Sequence, residues 1–442
     1  MRARPERNWR DPERESRFRS RYMSNYQGAI GILVLPLIAY ALSLDRSHIR
    51  WRPVIGGFLL QLVFALIVLK TAAGERVFEY LGVIVTRVLG FTTVGSQFIF
   101  GWLIDESISE NKFIFAVQVL PTIIFFSSLM AVLYHLGIMQ WVVKLLAGFM
   151  KATMGVSGAE SLSVAANIFV GQTEAPLVVR PYIAGMTRSE LMALMTGGFA
   201  TIAGSVLAMY IGWVGEEYAR HFLAASVMSA PAAFVMAKIM LPETEESLTS
   251  GKIQMHLEKK SVNVIDAAAS GAGDGLKLAL NVGAMLLAFV ALIALIDYPL
   301  ERISVALSLD QYLGGRPLSL EVIFGFVFWP LAWVIGVAPA DCTAIGALMG
   351  TKIAATELIA YLSLHEMIEV GSISEKSVII ATYALCGFAN FGSIAIQLGG
   401  IGGIAPERKH ELARLGLRAM TGGALASFMT AAFAGMMVRT AG

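Results

Sequence analysis

Apolar residues run through this chain in long, nearly unbroken stretches. The clearest lie at 29–44, 54–69, 113–136, 191–214, 222–241, 276–296, 322–337, 378–398 and 416–438. Most approach the roughly 20 residues that carry a helix across the hydrocarbon core of a bilayer. None alternates in polarity as a membrane-barrel strand does, so each predicts a helix that satisfies its own backbone in lipid. Two stretches differ. Between Lys70 and Asn111 the apolar pattern is interrupted by Glu75, Arg76, Glu79 and Arg87, and in 134–151 by Trp141, Lys144 and Lys151. Both predict amphipathic helices lying in the membrane interface. The segment 242–275 is the one long polar connection, and it reads as an aqueous loop between two halves.

Composition turns that pattern into a class. Of 442 residues, 56% are hydrophobic and only 15% charged, against about 25% charged in an ordinary soluble domain. A net charge of +2 argues against nucleic-acid binding by bulk electrostatics. Two cysteines, Cys342 and Cys386, exclude a disulfide framework. The arginine-rich first 22 residues lack the apolar core of a cleaved signal peptide and read as a solvated or lipid-surface extension. Arg46, Arg50 and Arg52, then Lys259 and Lys260, then Arg408, Lys409 and Arg414 fall in loops on one side of an eight-span chain, which argues for that side being cytoplasmic, whereas the eight arginines of the tail argue for the opposite orientation. No nucleophile elbow, Walker A sequence or H-E-x-x-H occurs, so neither an enzyme nor an ATP-driven pump is expected.

Two segments do not behave as spans. Residues 161–182, SLSVAANIFVGQTEAPLVVRPY, are apolar enough to enter the bilayer yet carry Asn167, Gln172, Thr173, Glu174 and Arg180, with Gly171, Pro176 and Pro181. Glycine and proline break a helix, and the freed backbone groups need partners. The predicted geometry is a re-entrant hairpin: one half-helix enters, GQTE turns, and a second returns from about Ala175. Asn167 lies one turn before Gly171, so its amide oxygen is expected to face the same mouth as the Val170 carbonyl. A second break spans 330–364, where GVAPAD turns the chain and Glu357 sits among apolar residues. Each hairpin is followed by a span that is itself faulty, first at GGFATIAGS ending in Ser205, then at CGFANFGS ending in Ser393. Paired interrupted segments in two halves point to a transporter site near the bilayer midplane. Carboxylates in the oily interior are costly, which favours a functional role for Glu174 and Glu357.

The strings GQTEAPLVVRPY, GTKIAATELIAYL, ALCGFANFGSIAIQLGG and NVIDAAASGAGDGLKLALNVGAMLLAF together resemble the concentrative nucleoside transporter family, over residues 27–435. The resemblance implies an all-α polytopic membrane protein with an inverted repeat, about eight transmembrane helices, two opposed re-entrant hairpins and interfacial helices. It implies an elevator-type homotrimer in the plasma or bacterial inner membrane that takes up nucleosides, uridine-like and purine, by sodium symport. Na+ is the coupling ion, no organic cofactor is implied, and the lipid bilayer and nucleosides are the partners. Carried over by position, the nucleobase contacts are Gln172, Thr173 and Glu174 with Val206 nearby, and the ribose contacts are Glu357, Asn390 and Ser393 with Phe388 lining the site. The sodium ligands are Asn167, Thr173 and Thr201 with the carbonyls of Val170 and Ile202. Thr356 stands where the family usually has Asn, and Thr201 where Ser is common.

The expected organisation is a basic extension at 1–26, scaffold at 27–157, the first hairpin and two spans at 158–241 and a polar linker at 242–275. A scaffold span and connection follow at 276–320, then the second hairpin and two spans at 321–442. The alternatives are a proton-coupled symporter of the same fold and, in a different class, a passive channel or membrane receptor.

Overall fold

The molecule is seen in a computed structural model that describes residues 12–103, 115–118, 120–249, 261–313, 315 and 317–438. The long apolar runs form helices, and among the described residues there is no β-strand. In the first half α1 (Pro12–Ala41), α2 (Trp51–Lys70), α3 (Ala72–Phe100) and α4 (Phe115–Gln118) precede a bent pair, α5 (Leu120–His135) and α6 (Ile138–Met154). Then come α7 (Gly158–Asn167), a 3-10 segment Ala175–Gly185, α8 (Arg188–Ala200), α9 (Gly204–Val214) and α10 (Ala219–Met240). The second half repeats the order. The long α11 (Val264–Ala306) and α12 (Leu320–Val334) lead to α13 (Cys342–Ala354), α14 (Glu357–Val370), α15 (Glu375–Leu385), α16 (Phe391–Ile404) and α17 (Lys409–Met437).

Six helical stretches among the described residues are long and apolar enough to cross a membrane, or seven with α5 and α6, which bend by 78° at their junction. There Gly137, at φ +80°, supplies the left-handed turn. The eight-span reading corresponds to α1, α2, α5, α8 with α9, α10, α11, α15 with α16, and α17. The expected interfacial helices are α3 and α6. By length and composition alone α3 could also cross, but it buries only Gly74, Gly82, Thr92 and Ser96.

Three boundaries differ from the sequence expectation. The tail is in part helical, because α1 already begins at Pro12. The polar linker ends earlier than expected, because α11 begins at Val264, capped by the Asn263 side chain on the Asp266 amide. Gly271 and Gly275 pack rather than turn: a Cβ at Gly271 would meet the Ser127 carbonyl at 2.8 Å, and one at Gly275 the Ile124 Cα at 2.8 Å. Small residues let α11 lie against α5, and the Ser128 hydroxyl donates to the Ala268 carbonyl at 2.8 Å. Finally, α1 and α2 pack on α10 and α17, although the sequence groups them with the α5 region at 27–157.

The core lies in the second part of each half. Helices α7 to α10, α15 and α17 are mostly buried and α16 buries one face, whereas α3 and α11 leave broad apolar faces uncovered.

Candidate substrate and ion site

Both hairpins form as expected. In the first, α7 starts at a capping box in which the Ser157 hydroxyl accepts from the Glu160 amide and the Glu160 carboxylate accepts from the Ser157 amide. It stops at Asn167, and the chain turns through 168–174 before the 3-10 segment returns. Pro181, inside the return arm, cannot donate to the preceding turn, and the arm kinks at Val179, whose φ of −118° and ψ of 17° leave the helical region. In the second hairpin α13 runs to Ala354, and Thr356 caps α14 with its hydroxyl on the Ile359 amide, so that Glu357 is the first helical residue. The departure at Thr356 therefore keeps a capping function.

The two faulty spans are broken where the sequence places the faults. Residues 201–203 separate α8 from α9, and 386–390 separate α15 from α16. The breaks bond to each other: the Phe388 amide donates to the Thr201 carbonyl at 3.3 Å. Gly387, at φ +144°, makes that approach possible, since a Cβ there would stand 2.7 Å from the Phe199 carbonyl. The first hairpin joins the same knot, because the Gly204 amide donates to the Phe169 carbonyl at 2.9 Å.

Glu357 is buried, at 5% exposure. Its two oxygens are each held: the Tyr210 hydroxyl donates to Oε1 and the Asn390 amide to Oε2, both at 2.9 Å. Hydrogen bonds to a charged group contribute about 1.5–3 kcal/mol each, which offsets much of the cost of burying the carboxylate. Asn390 also caps α16, its Oδ1 accepting from the Ser393 amide at 2.8 Å. The Ser393 hydroxyl in turn accepts from Gln172 Nε2 at 3.1 Å, so the first hairpin meets the second broken span directly. Val206 is buried in the first turn of α9, and Phe388 is half-buried in the second break.

On the ion side, Asn167 is buried at 1% exposure. Its Nδ2 donates to the Ser163 carbonyl at 3.2 Å, while its Oδ1 has no partner. A buried acceptor left unpaired is costly and invites a cation or water. Thr201 and Ile202 are buried in the first break, with the Thr201 hydroxyl donating to the Gly197 carbonyl at 2.9 Å. Val170 sits in the hairpin turn, half-buried. Thr173 packs on α16, close enough that a Cβ at Gly400 would meet its Cγ2 at 3.0 Å.

Glu174 is a correction. The sequence expects both carboxylates in the interior, but Glu174 is exposed on the turn, with one carboxylate oxygen folded back against Gly171. It is the first residue after the tip and has no helix around it to bury it.

Two residues of the site escape the sequence reading. Tyr210, in the apolar run of α9, orients Glu357. Gln397, in α16, donates to Gln172 Oε1 at 3.0 Å and to the Met195 carbonyl at 3.1 Å, and its own Oε1 is an unpartnered buried acceptor. The signal for Gln397 was present as a polar residue four positions after Ser393. Gly198 makes room for it, since a Cβ there would meet Gln397 Nε2 at 2.7 Å and Gln172 Cβ at 3.0 Å.

Comparison with known proteins agrees with this architecture. The profile of the Na+ dependent nucleoside transporter C-terminus matches residues 221–435, that of its N-terminus residues 30–103, and a nucleoside recognition (Gate) profile residues 116–217. The chain belongs to the concentrative nucleoside transporter family. An uncharacterized transporter of Haemophilus influenzae is 46% identical over 420 residues, covering 94% of this chain and 98% of that protein. Sodium/nucleoside cotransporter 2 of Rattus norvegicus is 42% identical over 421 residues, covering 92% of this chain and 62% of that protein. The structure of CNTnw in an inward-facing substrate-bound state is 42% identical, with a TM-score of 0.87 over 94% of this chain and 100% of that one. An outward-facing CNTnw structure also reaches 0.87, at 42% identity over 94% and 99%. As a member of this nucleoside transporter family, the protein is a multi-pass transporter of the plasma or bacterial inner membrane, all-helical and with an elevator-type fold.

Proposed function

We propose that this chain is a symporter that imports nucleosides with sodium by alternating access. The observation that carries the sodium half is the unpaired, buried Oδ1 of Asn167 at the end of α7. A half-helix C-terminus already presents carbonyls there, and sodium, a hard cation, takes oxygen ligands. Thr173, Thr201 and the carbonyls of Val170 and Ile202 would complete the set, with the hydroxyl proton of Thr201 turned toward Gly197 so that its lone pairs are free.

The nucleoside half rests on the polar chain from Gln172 to Glu357. A carboxylate offers about four lone-pair sites, of which Tyr210 and Asn390 use two. The remainder can accept from the vicinal hydroxyls of a ribose in charge-assisted bonds. Gln172 spends one N–H on Ser393 and one lone pair on Gln397, leaving one donor and one acceptor for a nucleobase edge. Thr173 and Glu174 add further groups beside it, Val206 and Phe388 supply apolar walls, and uridine and purine nucleosides both present suitable edges.

Alternating access fits a moving body of α1, α2, the hairpins, α8 to α10 and α15 to α17, held against α5 and α11, which pack closely on each other. Leu280, Leu287 and Leu295 of α11 are exposed, at 61%, 76% and 67%, on one apolar seam. That seam suits the contact between scaffolds in a homotrimer.

Radiolabelled uridine uptake into proteoliposomes, with and without an inward sodium gradient, tests the reading. The expected result is accumulation above the external concentration only with sodium. Equal uptake in both conditions would end the sodium assignment. Uptake driven by a pH gradient alone would favour the proton-coupled form, and uptake that never exceeds equilibrium a passive channel.

A further inference from the structure

Among the described residues two lysines are buried in the core, and they are satisfied differently. Lys238 pairs with a carboxylate, Glu160, at 2.7 Å. Lys352, at 0% exposure, has no carboxylate within ion-pair distance among the described residues. Its ammonium donates to the Ala384 carbonyl at 2.9 Å and lies 5.6 Å from the centroid of the Phe428 ring. Ala384 is in the last turn of α15, where the break begins. The residue four places on, Phe388, gives its amide to Thr201 and not to Ala384, so this carbonyl has lost its ordinary helical donor. The neighbouring carbonyls at this end are also met by side chains from elsewhere. The Tyr361 hydroxyl donates to the Thr382 carbonyl at 2.8 Å, and the Ser427 hydroxyl to the Cys386 carbonyl at 2.8 Å.

The first half presents the same construction with an amide oxygen in place of the ammonium. Asn167 ends the entering arm of the first hairpin, and Thr201 follows the last turn of the first broken span. Lys352 is in the last turn of the entering arm of the second hairpin, and Ala384 in the last turn of the second broken span. Where the first half has an orphaned amide oxygen, the second has an ammonium. A positive charge at a helix C-terminus and over an aromatic face is favourable, so both halves call for a cation at the equivalent place.

We propose that the Lys352 ammonium is a built-in cation. It stands at the break of α15 where, in the first half, the proposed sodium ion stands at the break of α8, and it relieves the second hairpin of any need for an ion of its own. This rests on the sodium reading above. Lys352 is a positioning residue: Glu357 attracts it from beyond ion-pair distance, its one hydrogen bond goes to Ala384, and it acts by holding the end of α15 from which Asn390 follows.

The experiment is a sodium titration of uridine uptake by the wild type, K352A, K352M and K352R in proteoliposomes. Sodium dependence of the wild type tests the coupling reading separately, and its absence there would remove that reading whatever the variants do. Given a sodium-dependent wild type, K352A is expected to lose uptake at low sodium and regain it at high sodium. Its half-saturating concentration should rise about tenfold, and its Hill coefficient should move from about 1 toward about 2, as a second ion fills the vacated place. K352M fills that place with an apolar stem and should not be restored by sodium, and K352R should keep a curve like the wild type. A purely packing role gives the opposite order, with K352M better than K352A and neither curve changing steepness, and that result overturns the proposal. If K352A and K352M fail to reach the membrane while K352R reaches it and transports, the requirement for charge is upheld. If all three fail alike, shape and not charge is what the place needs, and the proposal falls.

Discussion

The two hairpin halves share an order of elements but not a state of completion. In the second, Glu357 is enclosed and both its oxygens are held, the end of α15 is capped by Tyr361, Lys352 and Ser427, and Asn390 caps the next helix, although Gln397 Oε1 in α16 is unpaired. In the first, Asn167 carries an unpaired oxygen and Glu174 stands exposed on its turn. The two halves therefore differ in how far their own side chains complete the helix ends. A symporter can use that asymmetry: if ion binding completes the first half, the substrate site forms only when both cargoes are present.

The largest effect that would sharpen the comparison is expected from Glu357→Gln. An amide loses the negative charge and half of the acceptor capacity: its N–H either faces the Asn390 amide, which can only donate, or makes the Tyr210 hydroxyl turn to accept. Removing one member of a buried charged network commonly costs 2–5 kcal/mol, so uridine uptake should fall by roughly 100-fold or more at unchanged expression. Near-normal uptake would mean that the second half is not the sugar clamp. Next comes Asn167→Ala, which removes the orphaned oxygen. Half-saturating sodium should rise by about tenfold, in line with one hydrogen-bond-sized ligand interaction, with smaller change in maximal uptake at high sodium. An unmoved sodium curve would show that the first half does not wait for an ion through this residue. Tyr210→Phe should be milder, because Asn390 still holds the other oxygen. A rise of about fivefold in KM for uridine, at wild-type sodium dependence, fits the loss of about 1 kcal/mol, the net contribution of one ordinary hydrogen bond.

Much of this was legible in the residues. The long apolar runs, the glycine and proline around the first hairpin tip and before the second hairpin, and the acid–amide–hydroxyl strings all act locally, so they specify breaks and polar sites without knowledge of the neighbours. What was not legible depends on partners distant in sequence. The GAGDG string reads as a loop because glycine serves both turns and close helix contacts, and only the presence of α5 decides between them. Tyr210 looks like one more aromatic in an apolar run until α14 brings Glu357 against it. Glu174 and Glu357 look equivalent on paper. They differ because one opens a regular helix packed on α9 and α15, whereas the other sits on a turn followed by a proline-bearing 3-10 segment.

That last contrast yields the smallest expected effect, and the one that most directly tries the comparison. Glu174→Gln changes a carboxylate that is already solvated, so no burial cost is released and no enclosed network is broken. An exposed charge interaction contributes little after screening, and the amide retains an acceptor for a nucleobase donor. Uridine KM should shift by about twofold, and the sodium curve should stay in place. Competition by unlabelled purine and pyrimidine nucleosides, measured in the same membranes, would register any change in base preference that the KM alone hides. A loss as deep as that of Glu357→Gln would mean that Glu174 is enclosed during the transport cycle. The first half would then be closing over its cargo as completely as the second already does, and the asymmetry would belong to one conformation and not to the design of the two halves.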